Sequence, residues 1–172
     1  LRQEMESLNR RIEEFDEMID KVAYFNRYAR LIYTIPGIGR IGALTIASEI
    51  GDINRFKEEF NLSSYAGLVP KIHQSGSVQY MGHITHGNNF IKRILVECVQ
   101  IHFRRCPHSP ITLSYNRIKR RAGHKKAVIA AARRLLRVIY YMLKRDESYH
   151  PNEEELPVRR WEKHALDGVL DV

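Results

Sequence analysis

The chain has 172 residues, enough for one domain or for one domain with an appendage. Its 44% hydrophobic content is ordinary for a globular protein, and no run of about 18 apolar residues exists that would cross a membrane. The formal net charge of +8 is unevenly spread, because residues 86–145 carry fifteen basic side chains and one acid, Glu97. Such a block is typical of a nucleic-acid-binding surface; the plainer alternative is a basic helical face that only aids solubility.

The chain begins at Leu1 rather than at a methionine, so we expect it to be a piece of a longer protein with functional residues upstream. Its two cysteines, Cys98 and Cys106, form no paired motif, and no signal peptide is recognisable. Both features suit a reducing cytoplasm.

The first thirty residues show a heptad pattern, in which apolar positions recur at alternating steps of four and three. A seam this narrow requires a partner helix, and we expect the same helix of a second copy, which makes the protein a homo-oligomer through residues 1–30. The alternative is that the helix packs on its own domain. Asn26 would lie in the seam and fix the register or the oligomer order. The seam positions are Leu1, Met5, Leu8, Ile12, Phe15, Ile19, Val22, Asn26 and Ala29.

Residues 34–52 carry Gly37, Gly39 and Gly42 at the spacing of a dinucleotide-binding fingerprint. We exclude that function because a helix precedes the glycines, and no acid follows in a strand about 20 residues later. A helix-hairpin-helix fits better, since a tight I-P-G-I-G turn would present its glycine amides beside a helix N-terminus, where DNA phosphates bind. Its candidate DNA contacts are Gly37, Gly39 and Arg40. The alternative is a plain turn that buries three isoleucines, Ile35, Ile38 and Ile41.

Apolar periodicity predicts four further helical segments, which make the protein all-α (mainly α) with one irregular active-site loop. They are a short element with a helix over 54–66 and longer helices over 86–105, 111–121 and 125–145. We therefore predict three parts: a coiled-coil helix over 1–33, a compact helical domain over 34–145, and an acidic tail over 146–172.

The last predicted helix carries a line of basic residues. Its members fall at offsets of 0, 7, 11 and 18, which places them within about 20° of one line at 100° per residue. Tyr140 and Tyr141 flank this line, and the combination favours binding to a nucleic-acid backbone. The members are Lys126, Arg133, Arg137 and Lys144, and we add Lys92, Arg93 and Lys125 as further candidate DNA contacts.

Ser75 and Gly76 lie in the segment 66–89, which is neither helix-periodic nor charged. A serine beside a glycine is usually a turn residue, but here it could also be a nucleophile aimed at a phosphate. A zinc site is a further alternative that we do not favour, because zinc requires four convergent ligands. The pairs with a spacing that zinc ligands could have are His83 with His86, Cys98 with His102, and Cys106 with His108. We predict no metal site in this chain.

Several motifs in fixed order resemble one family. They run I-P-G-I-G, A-S-E-I-G-D-I-x-R-F, L-x-x-Y-A-G-L-V-P, Q-S-G, G-x-I-T, G-N and K-K-A-x-x-A-x-A-R-x-L-L-R-V-I-Y, from about Ile35 to Leu143. This order resembles the carboxy-terminal domain of the IS-one-ten class of insertion-sequence transposases, which are related to the pilin-gene invertase. The sequence departs from the family where His86 replaces a usual lysine and Lys92 a common arginine.

The resemblance implies that Ser75 is the nucleophile, which cuts and rejoins DNA through a phosphoserine intermediate; Ser77 is the neighbouring alternative. It also implies an amino-terminal RuvC-like domain with acidic ligands for Mg²⁺, and for many members a guide RNA. Those acids are outside this chain, so we expect no cleavage by the fragment alone. The alternative function is a non-catalytic helix-hairpin-helix module that binds DNA or RNA.

Overall fold

The computed structural model describes residues 1–69, 72–75, 78–81 and 87–150, and within these ranges the predicted mainly helical fold is confirmed. None of the described helices combines the length and the apolar character that crossing a membrane requires. The helices α1 to α7 are Arg2–Phe25, Arg27–Tyr33, Arg40–Ile50, Glu59–Tyr65, Asn89–Arg105, Pro110–Ala122 and His124–Arg145, with a short 3-10 helix at Ile53–Arg55 and two strands, β1 at Ile72–Ser75 and β2 at Val78–Met81.

Helix α7 lies at the centre of the fold and packs against α2, α4, α5 and α6. Its apolar residues recur at helical spacing, so one face is buried. On this face of α7, Val138 is half-buried, and the buried residues include Val128, Ala131, Ala132, Leu135, Ile139 and Met142. Helix α5 also has a buried apolar face, and it packs against α3.

The helix predicted to run through residue 30 is interrupted at Asn26. Its backbone is extended, and its side-chain oxygen accepts a hydrogen bond from the Ala29 amide at 3.0 Å, so Asn26 is the N-cap of α2. Ala29 is fully buried in the core of the domain. The prediction that Asn26 and Ala29 continue the seam is therefore wrong. Asn26 begins a new helix, and Ala29 packs inside the domain.

Most of α1 projects from the rest of the chain as an arm. Its apolar side chains remain 55–95% exposed, and they are Leu1, Met5, Leu8, Ile12 and Phe15. Burial begins near the end of the helix, where Asp20 pairs with Arg40 and Ala23 packs in the core. The apolar seam of the arm thus finds no cover within the described part of the chain.

The loop predicted as irregular contains an antiparallel hairpin. The register of its strands runs from Ile72 opposite Met81 to Ser75 opposite Val78. The two intervening residues, Gly76 and Ser77, lie outside the described residues.

The predicted tail begins with residues that are tied to α2. Asp146 forms an ion pair with Arg27, and the buried Tyr149 donates its amide hydrogen to the hydroxyl of Thr34 at 2.9 Å. The remainder of that tail, residues 151–172, lies outside the described residues.

Candidate functional site

Ser75 is the last residue of β1 and pairs with Val78, the first residue of β2. This register places Ser75 at the closed end of the hairpin, next to the turn. The alternative serine, Ser77, lies outside the described residues.

Two glycines bring the ends of the hairpin segment together. Gly67 follows α4 with a φ of +65°, and Gly87 precedes α5. A Cβ added at Gly87 would lie 2.3 Å from the backbone nitrogen and Cα of Gly67, closer than real Cβ atoms approach. Only glycine allows the two chain segments to cross at this distance.

A polar cluster lies beside this crossing. The amide of Asn88 donates to the Tyr65 carbonyl at 2.7 Å, and its side-chain amide donates to the Glu49 carboxylate and to the Tyr65 hydroxyl, the latter at 3.2 Å. The guanidinium of Arg55 donates to the Glu49 carbonyl at 3.0 Å and lies 4.7 Å from the Tyr65 ring centroid. Sequence reasoning missed these residues, although the G-N and E-I-G-D motifs contain Asn88 and Glu49.

The turn between α2 and α3 separates its three candidate DNA contacts. Gly37 is buried with a φ of +101°, and a Cβ there would lie 2.8 Å from the backbone nitrogen of His102. Its position therefore serves close packing against α5. Gly39 and Arg40 are exposed at the start of α3, but Arg40 pairs with Asp20. Of the three isoleucines in the plain-turn alternative, Ile35 and Ile38 are buried and Ile41 is exposed.

Buried polar side chains connect this turn to the α5–α6 junction, a contact that sequence reasoning also missed. The His102 ring forms two hydrogen bonds. Its Nδ1 lies 2.8 Å from the Pro36 carbonyl oxygen, and its Nε2 lies 2.9 Å from the Ser109 hydroxyl oxygen. Burial raises the pKa of the nearby Cys98 thiol to about 11, so this sulfur stays protonated at neutral pH. Among the described residues, no three His, Cys, Asp or Glu side chains converge as metal ligands.

The line of basic residues on α7 lies on the surface in two environments. Lys125 and Lys126 are exposed near the start of the helix, and Arg133 is half-buried. Towards the end of the helix, Arg137 lies 3.7 Å from the Glu59 carboxylate, and Lys144 donates to the Asn54 side chain at 3.0 Å. The first half of the line is therefore more available for phosphates.

The flanking tyrosines differ from each other. Tyr140 is buried and donates its hydroxyl hydrogen to the Lys57 carbonyl at 2.9 Å. Burial raises its pKa above the ordinary value. Tyr141 is partly exposed, with the guanidinium groups of Arg137 and Arg145 at 5.9 and 5.5 Å from its ring centroid.

The two candidate contacts on α5 also differ in exposure. Lys92 is half-buried, whereas Arg93 is exposed and donates to the Glu97 carboxylate at 3.1 Å.

A second basic surface lies at the corner where α6 ends and α7 begins. We call it the α6–α7 corner, and its exposed members are Arg117, Lys119, Arg120, Arg121, Lys125 and Lys126. Four of these were missed, although the charge block in the sequence contained the signal: no acid occurs between Glu97 and Asp146.

Comparisons with known proteins identify the family of the chain. The model of the transposase IS116/IS110/IS902 family matches residues 29–116, which include the turn at 34–39 and the whole hairpin segment. The chain belongs to this family. The relation to insertion-sequence transposases and to the pilin-gene invertase, which the sequence motifs indicate, is thereby confirmed.

Three relatives illustrate the extent of the match. The transposase for insertion sequence element IS1111A of Coxiella burnetii is 30% identical, over 84% of this chain and 41% of its own length. The insertion element IS900 uncharacterized 42 kDa protein of Mycobacterium paratuberculosis is 32% identical, over 88% of this chain and 38% of its own. The pilin gene-inverting protein of Moraxella bovis is 30% identical, over 77% and 42%. The chain thus spans about two fifths of the length of these relatives.

Proposed function

We propose that this chain is the DNA-binding and catalytic-serine part of an insertion-sequence transposase or site-specific recombinase. The observation that carries the proposal is the position of Ser75 at the closed end of a hairpin, within a chain of this transposase family. A relative that inverts pilin genes supports DNA recombination as the reaction class. Cellular DNA as substrate in turn supports a cytoplasmic location.

In the proposed reaction, the Ser75 hydroxyl attacks the phosphorus of a DNA phosphodiester. A serine–phosphate bond forms as the phosphorus–oxygen bond to the leaving strand breaks. The serine proton passes to a base, and the leaving deoxyribose oxygen takes up a proton. Attack by the hydroxyl of a second strand then reverses these changes and rejoins DNA.

The described residues supply positive charge but no ligand set for the Mg²⁺ expected in the whole protein. From the family resemblance we propose that its acidic ligands lie on a RuvC-like domain outside this chain. The α7 line and the α6–α7 corner would bind the DNA backbone or a guide RNA, because both carry several basic side chains on the surface.

The exposed seam of α1 supports homo-oligomerisation. An exposed stripe of large apolar side chains along most of a 24-residue helix is the arrangement that a coiled coil buries between two copies. We propose that the exposed part of α1 pairs in this way with the same helix of a second copy.

A covalent protein–DNA adduct tests the catalytic assignment. Full-length protein carrying Ser75→Ala should form no adduct when supplied with divalent metal, RNA and donor DNA. The matched control is Ser77→Ala, which should keep adduct formation within a few fold of the wild type. An adduct that survives Ser75→Ala, or is lost only with Ser77→Ala, would place the nucleophile elsewhere.

The same assay separates the second function, a helix-hairpin-helix module that binds nucleic acid without cutting it. That function predicts binding by the wild type with no adduct under any condition. The exposed Gly39 at the start of α3 favours it, whereas the burial of Gly37 and the pairing of Arg40 with Asp20 leave the turn few free groups for a phosphate.

A further inference from the structure

The chain segment that carries Ser75 leaves the described helices and returns to them at a contact between two glycines. The segment leaves the α4 end at Gly67 and returns at Gly87, and the two glycine backbones are in direct contact. The next residue, Asn88, donates its amide hydrogen to the Tyr65 carbonyl at 2.7 Å. A contact that holds Asn88 therefore also holds the two ends of the segment, Gly67 and Gly87.

The side chain of Asn88 is fully engaged. Its oxygen accepts from the amides of Phe90 and Ile91 at 3.0 and 3.1 Å, which caps α5. Its nitrogen donates both hydrogens, one to the Glu49 carboxylate and one to the Tyr65 hydroxyl. A primary amide has two donors and two acceptor positions, and here all four are occupied.

Glu49 is itself held in place. It lies near the end of α3, and its backbone carbonyl accepts from Arg55 at 3.0 Å. The Arg55 guanidinium is positioned over the rings of Phe56 and Tyr65, at 4.6 and 4.7 Å from their centroids. The cluster therefore joins three elements, the end of α3, the end of α4 and the start of α5.

We propose that Asn88 is a positioning residue for Ser75, acting through its hydrogen bond to Glu49. This inference rests on the proposed function of Ser75. The pair holds both ends of the hairpin segment against α3, so that the serine at the tip is presented at one fixed place. The requirement is for one donor facing one acceptor: two carboxylates at this distance would repel, and two amides would still bond.

This requirement gives an ordered set of variants. Asn88→Asp keeps the helix cap but places a second carboxylate against Glu49, and we expect adduct formation to slow about 10- to 100-fold. Glu49→Gln leaves an acceptor for Asn88 and should remain within a few fold of the wild type. The double variant exchanges donor and acceptor, since the Gln amide now donates to the Asp carboxylate, and should recover most of the lost rate.

The positioning itself is measured by backbone amide exchange of β1 and β2 in the same full-length protein. Asn88→Asp should speed exchange in residues 72–75 and 78–81 and leave α7 unchanged, and the double variant should restore slow exchange. A purely structural role would instead lower the melting temperature of the whole protein and speed exchange in α7 as well.

The outcomes separate this inference from the function on which it rests. If Ser75→Ala still forms an adduct, the catalytic proposal fails. The exchange experiment then still tests whether the Asn88–Glu49 pair holds the hairpin. If Asn88→Asp alters neither rate nor exchange, or if Glu49→Gln does not rescue it, the positioning role is wrong while Ser75 retains its assignment.

Discussion

At the scale of single residues, the turn between α2 and α3 depends on a glycine for packing. Gly37 combines a positive φ with backbone atoms of Cys98 and His102 within 3 Å of the position a Cβ would occupy. The neighbouring Gly39 has an ordinary φ of −87° and nothing within 4 Å of its Cβ position. Two glycines of one motif thus have different physical roles.

We predict that Gly37→Ala destabilises the protein by about 2–4 kcal/mol, from backbone strain and from the forced separation of the turn and α5. Gly39→Ala is the matched control and should cost about 1 kcal/mol or less, since Gly39 is the N-cap of α3 and alanine is a poorer N-cap. Urea unfolding followed by circular dichroism measures both. Equal losses for the two variants would show that the turn does not pack on α5 as described.

At the scale of elements, α7 is both the central core helix and the carrier of a basic line. We predict that Arg133→Ala with Arg137→Ala weakens DNA binding and lowers the slope of log affinity against log salt by about 2, because two phosphate contacts are lost. The measurement is fluorescence anisotropy with duplex DNA across a range of salt. The control pair, Arg10→Ala with Arg11→Ala, removes the same charge from the exposed face of α1 and should leave the slope unchanged.

DNA binding at the α6–α7 corner would contradict the prediction for the α7 line. An unchanged slope in the α7 double variant, together with a lowered slope for Arg117→Ala with Arg121→Ala, would place the DNA on the corner instead of on the line.

The helices themselves were predictable because their signals are local. Apolar periodicity, Pro110 and Gly123 mark α6 and α7 to within one residue of their observed starts and ends. The hairpin was missed because two four-residue strands that mix polar and apolar residues are too short to show a clear alternation. The contacts of His102 with Pro36 and of Asn88 with Glu49 join residues 66 and 39 positions apart, which no local pattern reveals.

At the scale of the whole molecule, the chain separates into a packed helical body and the α1 arm. We predict that removing residues 1–16 leaves a folded protein with a melting temperature within a few degrees of the intact chain, because the deleted side chains bury nothing in the core. The truncated chain should be a monomer, while the intact chain is an oligomer. Light scattering coupled to size-exclusion chromatography, with thermal unfolding alongside, checks both parts.

A substitution control uses the intact length. Leu8→Glu with Ile12→Glu should also produce a monomer, since two charges enter the apolar seam, whereas Glu13→Ala with Glu14→Ala at exposed positions beside it should not. An oligomer that persists after the truncation would assign self-association to the body.

The contact between Gly67 and Gly87 has a consequence for how such proteins diversify. The nineteen residues between the two glycines start and finish at the same point. Their number therefore does not set the distance between the helices before and after them. Doubling the length of such a loop costs only about 0.6 kcal/mol in closure entropy. Insertions, deletions or exchange of the whole segment between relatives would therefore alter the reach of the tip while the helical body keeps its shape.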